Sequence, residues 1–173
     1  MSTTTGPLPL SDDAHIHLMA AHGFTDDAGN YWNVGTQLGP RCEVKLFRLR
    51  PGTSRREVLA RLRMPKAGYT HAFAMTARHA IVWETAMRAQ PLSFRFSAKA
   101  YIRNFRWEPA SGSRLHAIAL ADGAVRSWDA PPMMCFHAVQ AWEDGETLVA
   151  ELATYDDARV FDDLRLAPLR QGQ

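Results

Sequence analysis

Turn signals recur along this chain at roughly ten-residue intervals, and no other feature constrains the fold as tightly. They are Asp26-Asp27-Ala28-Gly29-Asn30, Arg50-Pro51-Gly52, Ala77-Arg78-His79, Ser111-Gly112, Asp122-Gly123 and Glu143-Asp144-Gly145-Glu146. Between them lie short stretches rich in Val, Ile, Phe, Tyr and Trp. The pattern predicts strands at Tyr31–Gln37, Glu43–Leu49, Glu57–Met64, His71–Thr76, Ala80–Glu84, Arg114–Leu120, Ala124–Asp129, Cys135–Trp142 and Thr147–Ala153. Glu43-Val44-Lys45-Leu46-Phe47 alternates at period two, as a strand with one solvated face does. Many short strands at this spacing mean an all-β meander, hence a sandwich, barrel or propeller. Helix signals are weak. Pro91 interrupts 85–100, and a short helix is expected over Asp162–Leu169, ending before Pro168.

With 173 residues the chain suits one domain. We expect a flexible segment over 1–16 and a single domain over 17–170. Charged residues at 22% and eight Phe exclude wholesale disorder. A dispersed net charge of +2 lacks the basic stripe that nucleic acid requires, so no nucleic-acid partner is expected. Two Cys, Cys42 and Cys135, with no C-x-x-C, exclude a thiolate zinc site within the chain and argue against a disulfide framework. Met1–Leu10 carries neither a basic nor an apolar targeting region, so a cytoplasmic location is expected.

The histidines carry the chemistry. His22, His71 and His137 each stand at or near an expected strand, flanked by small or aromatic residues and not by charges. An imidazole buried there without a partner costs a few kcal/mol, about 1–3 by mutational measures. A backbone carbonyl or a hydroxyl is the ordinary partner. Three such imidazoles brought to one centre would instead bind a transition metal, and a His-only site with open positions suits iron. His15 and His17 form His-Ile-His, which opens some zinc hydrolase sites but reads more simply as a solvated pair. His79 is expected exposed in a turn, and His116 structurally paired. Asp156-Asp157 and Asp162-Asp163 read as solvated turn and helix-start charges. Phe94, Phe96, Tyr101, Phe105 and Trp107 read first as core and second as an apolar channel. No phosphate loop or Ser/His/Asp elbow occurs.

Four segments, in order, resemble one family. Ala21-His22, followed by Gly29-Asn30-Tyr31-Trp32-Asn33-Val34-Gly35, resembles its Ala-His-Pro segment and the Gly-x-x-x-Asn-x-Gly that follows. Tyr69-Thr70-His71-Ala72-Phe73-Ala74-Met75-Thr76 resembles a segment in which a ligand His precedes Phe, Ala and Thr. Trp107-Glu108-Pro109-Ala110-Ser111-Gly112-Ser113-Arg114 is similar to Trp-x-Pro-x-x-Gly-Thr-Arg. Phe136-His137-Ala138-Val139-Gln140-Ala141-Trp142-Glu143-Asp144-Gly145 resembles Phe-His-His-Val-Asn-Ala-(aromatic)-Glu-Asp-Gly. The family is that of the carotenoid cleavage oxygenases, including lignostilbene dioxygenases and the retinal-pigment isomerase.

The resemblance implies a seven-bladed β-propeller of which this chain is an internal piece, about a third of a member and two to three blades. It implies a non-haem Fe(II) held by His22, His71 and His137, with O2 and an apolar polyene or stilbene as reactants and two carbonyl products. Peripheral membrane contact belongs to full-length members. Open blade edges imply self-association or a partner chain. Gly23 replaces the usual Pro, Ala138 the second His and Gln140 the Asn. The family's fourth ligand His and its ligand-orienting Glu residues have no counterpart here. The rival expectation is a non-catalytic β-rich module in which the inherited histidines are idle.

Overall fold

The computed structural model describes Gly6 and residues 8–40, 42–96 and 98–172. In chain order the strands are β1 (Leu18–Met19), β2 (Phe24–Thr25), β3 (Tyr31–Gln37), β4 (Cys42–Leu49), β5 (Arg56–Met64), β6 (Ala67–Gly68), β7 (Ala74–Met75), β8 (His79–Glu84), β9 (Met87–Ala89), β10 (Phe105–Trp107), β11 (Ser113–Ala119), β12 (Val125–Ala130), β13 (Met134–Asp144) and β14 (Thr147–Tyr155). The helices are short: α1 (Ser93–Phe96), α2 (Val160–Asp163) and α3 (Leu166–Arg170). Two short helices replace the single one expected to end before Pro168: α2 stops at Asp163, and Pro168 lies inside α3, in its first turn, where its missing N–H has no intrahelical partner to lose. No helix among the described residues is long and apolar enough to cross a membrane.

The protein is all-β, built as several small antiparallel sheets. β1, β3, β4 and β5 form one, with β2 also on β3; β12-β11-β8-β7 form a second; β10-β9-β6 a third; β13 and β14 a fourth. The second sheet is covered on both faces. Ala80, Val82 and Ile118 pack into a core with Trp32, Val34, Val44, Leu46 and Leu62 of the first sheet. Ile81 and Trp83, on the opposite face by strand alternation, pack with Cys135 and with Leu148, Ala150 and Leu152 of the β13–β14 hairpin. Residues 79–84 therefore read as a nearly continuous apolar run. Face-to-face stacking of successive meander sheets is how propeller blades pack, and the expected partial propeller is the architecture found, without closure into a ring.

Eight of the nine predicted strands match to within a residue or two at each end. β3 matches residue for residue, and the others that match run one or two residues longer or shorter. Three expectations are corrected. Only Ala74–Met75 of 71–76 joins a ladder, because the backbone at the start of the segment bonds elsewhere: Ala21 N–H, in the coil before β2, donates to His71 O at 2.8 Å. β4 has no solvated face. Lys45 is 2% exposed, and its ammonium donates to Ala14 O at 2.7 Å and to Gln37 Oε1. The segment before β1 lies over that face and supplies the carbonyl. That segment is tied down from Asp12 onward, where the carboxylate takes the Arg56 guanidinium at 2.7 Å and the Arg56 N–H at 2.8 Å. Just before it, Ser11 N–H donates to Ser54 O at 2.9 Å, and residues 1–5 and 7 of the expected flexible terminus lie outside the described residues. Third, His79 is half-buried and opens β8, bonded to Glu143.

Candidate metal centre

Three imidazoles from three separate parts of the chain meet beside the second sheet. His22 lies in the coil before β2, His71 in the coil before β7, and His137 inside β13. The ring centroids are 5.1 Å (His22–His71), 5.0 Å (His22–His137) and 4.9 Å (His71–His137) apart. One nitrogen from each lies within 4.8 Å of the other two. Among the described residues no other group of three or more His, Cys, Asp or Glu converges in this way.

Local structure explains the convergence. Donation from Ala21 N–H to His71 O docks the segment bearing His22 on the segment bearing His71. On β13, Phe136 and Val139 are extra residues in bulges, so register shifts occur on both sides of the His137–Ala138 pair. A bulge re-aims the side chains next to it, and here it turns His137 toward the other two rings. Trp83, fully buried, donates from Nε1 to Cys135 O at 3.2 Å and fixes β13 on the second sheet just before the first bulge.

The donor set suits a divalent transition metal. The Nε2 atoms of His22 and His137 are 3.2 Å apart. Two nitrogens each about 2.1 Å from one ion and at right angles around it are separated by about 3 Å, so this pair fits a shared ion without rearrangement. The Nδ1 of His71 faces the Tyr69 hydroxyl at 3.4 Å, leaving its other nitrogen for the cluster. Burial, then the neighbouring His137 and His22, hold the His71 pKa below the usual imidazole value. Its lone pair is therefore free at neutral pH.

Two apolar walls flank the imidazoles. On one side an open cavity of about 510 Å³ is lined by Phe24, Phe73, Met75 and Val139 together with His22 and His137. On the other, Tyr69 stands edge-on to Phe105, Phe136 and Phe161. Of the aromatic stripe expected as core, Phe94, Tyr101 and Phe105 do pack together, and Phe105 is buried. Phe96 is 77% exposed.

The remaining predicted residues stay out of the centre. His17 Nδ1 accepts from Leu38 N–H at 3.0 Å, and His15 adopts a left-handed backbone with φ 49°, so His-Ile-His makes no metal pair. His116 pairs with the Ser127 hydroxyl at 2.9 Å, as a structural His should. Asp157 and Asp162 bind Arg159 and Arg165. Both cysteines are buried free thiols. Reading the histidines alone missed Tyr69, whose only signal was its place two residues before His71. It also missed the two bulges, which leave no mark in residue type.

Comparison with known proteins identifies the family. The family model described as retinal pigment epithelial membrane protein (RPE65) matches residues 3–173. The rice carotenoid cleavage dioxygenase 8 homolog A (Oryza sativa subsp. japonica) is 33% identical over 133 residues, covering 72% of this chain and 24% of the relative. The mitochondrial carotenoid-cleaving dioxygenase of Macaca fascicularis is 25% identical over 168 residues, covering 88% and 30%. In fold, the chain is similar to a Synechocystis apocarotenoid oxygenase mutant, with TM-score 0.66, 17% identity, and 81% and 30% coverage. The Pseudomonas brassicacearum lignostilbene dioxygenase gives TM-score 0.63, 17% identity, and 81% and 29% coverage. The chain spans about a quarter to a third of the length of such relatives. A family match over nearly every residue, joined to an all-β fold shared with these oxygenases, makes this chain a member of the RPE65/carotenoid oxygenase family.

Proposed function

We propose that this chain supplies three histidine ligands, His22, His71 and His137, to a non-haem Fe(II) centre, as the metal-bearing part of an oxygenase. The reaction would cleave a conjugated carbon–carbon double bond of a carotenoid, apocarotenoid or stilbenoid with O2. The observation that carries this is the convergence of three imidazoles, with no carboxylate or thiol among them, from elements far apart in sequence. Bound iron would supply the activation of O2 beside the alkene. The chain's own residues do the rest. The three imidazoles hold and orient the site. Phe24, Phe73 and Met75 offer a polyene an apolar surface and keep water from it. Relatives named for cleaving carotenoids and lignostilbene support the substrate class.

The β13–β14 sheet has only two strands beside a neighbour of four. That supports a second reading, in which the chain binds metal but is catalytically incomplete without a partner polypeptide. Elemental analysis of the purified, Fe(II)-loaded chain tests the site. Iron is expected in the wild type and lost in His71→Ala and His137→Ala. Unchanged loading in both variants overturns the assignment. Supplying the loaded chain with O2 and polyene or stilbene probes then separates the readings, since iron without carbonyl products selects the second.

A further inference from the structure

We infer that Glu143 is a positioning residue of the three-histidine site, setting the distance between His71 and His137 from the far end of the two segments that carry them. Residues 71–76 and 137–143 run side by side in the same direction, one ending in β7 and the other within β13. At one end the His71 and His137 rings meet edge to face, with centroids 4.9 Å apart. At the other end the Glu143 carboxylate clasps the turn after β7. Its Oε1 accepts from Thr76 Oγ1 at 2.5 Å and from Arg78 N–H at 3.3 Å, and lies 2.9 Å from His79 Nδ1. Its Oε2 accepts from Arg78 Nε at 2.7 Å, and Arg78 Nη2 reaches on to Gly145 O at 2.9 Å. The side chain is 12% exposed.

The two segments differ in length by one residue, five steps from His71 to Thr76 and six from His137 to Glu143. The longer segment contains the bulge at Val139, an extra residue relative to β14. Strand rise is about 3.3 Å per residue. A slip of one residue between the segments would therefore carry His137 away from His71 by more than half their centroid separation, and would turn its ring to the opposite face. No ladder of hydrogen bonds joins β7 to β13, because they belong to different sheets. Side-chain bonds must set their register, and Glu143 gathers those at the open end. The clasp favours the ionised carboxylate, since hydrogen bonds from Thr76 and His79 and the nearby Arg78 hold the Glu143 pKa down at about 2. It thus stays charged throughout the neutral range.

This inference rests on the metal reading only for its functional consequence, so the test reads position with and without metal. In the metal-free chain, nuclear Overhauser contacts between the His71 and His137 ring protons are expected in the wild type. They should be lost or weakened in Glu143→Ala and reduced in Thr76→Val, which removes the Thr76 hydroxyl's bond to Glu143 and its bonds to the backbone at 78 and 79 while keeping the carboxylate. With Co(II) as the probe ion, Glu143→Ala is expected to bind 10–100-fold more weakly, the usual loss when an orienting contact to a ligand is removed. The cobalt absorption spectrum should also change, while far-ultraviolet circular dichroism keeps its β signature. If both variants retain the ring contacts, the positioning role is overturned. If the contacts depend on Glu143 but the wild type takes up no Co(II), positioning stands and the metal reading fails.

Discussion

Gly23 follows His22 at a place where no side chain fits. A Cβ built there would lie 2.4 Å from the Tyr31 ring and its hydroxyl, and that hydroxyl is held by Asn33 Nδ2 at 2.8 Å. The ring cannot withdraw without giving up that bond, so a larger residue at 23 moves the segment bearing His22 instead. Gly23→Ala is therefore expected to keep the fold and lower affinity for a divalent metal by about tenfold, the low end for a misplaced ligand. Isothermal titration with Co(II) checks it, and an unchanged affinity would show that Tyr31 yields. At this scale the sequence was legible where motif and chemistry coincide, as at His22, His71 and His137. It was opaque where partners are remote. Nothing in Thr76, Arg78 or His79 announces a carboxylate 64 to 67 residues away, and Lys45 looked like a solvated residue until a distant carbonyl covered it.

At the scale of elements, periodicity read well wherever a strand is long and has a hairpin neighbour. It failed for β1, β2, β6, β7, β9 and β10, each two or three residues long. Such pieces lack the length to show a period, and distant partners define them. β8 shows why the longer elements are legible. Both of its faces are buried, so apolar residues fill it from Ala80 to Trp83. Trp83 joins the elements: it is fully buried, packs with Cys135, and donates to the Cys135 carbonyl. Trp83→Phe should cost about 1 kcal/mol for the lost hydrogen bond, with a further cost for lost volume. Trp83→Ala should cost about 3–5 kcal/mol. Urea denaturation of the two variants gives the comparison. Both variants lose the bond, so a negligible loss in Trp83→Phe beside a large one in Trp83→Ala would mean that packing alone matters and that the bond to β13 contributes nothing.

For the whole molecule, the first sheet, the second sheet and the β13–β14 hairpin stack face to face, and the stack thins from four or more strands to two. The second sheet overhangs the hairpin. Leu115, Ala117 and Trp128 line an open cleft against Leu148 and Ala150, and Trp128 is half exposed. β14 presents an unpaired edge over Thr147–Tyr155, a stretch with one charged residue and neither Pro nor Gly. Natural edges are blunted by charge, Pro or bulges. This edge has only Glu151, and Gln140 Nε2 already donates to that carboxylate at 2.7 Å. Val139 and Trp142 add exposed apolar surface on the same hairpin. The isolated chain is therefore expected to self-associate as concentration rises. A gatekeeper charge in β14, Val149→Lys, should shift it toward monomer. Sedimentation velocity across a concentration series measures both. If the wild type stays monomeric throughout, the edge protects itself. If Val149→Lys associates as the wild type does, another surface is responsible. Because β14 is hydrogen-bonded to the strand that carries His137, a strand added on its free edge would stiffen the hairpin at the metal site. Completing the sheet would thus act mechanically on the proposed metal site, and metal affinity should rise with whatever polypeptide completes the blade.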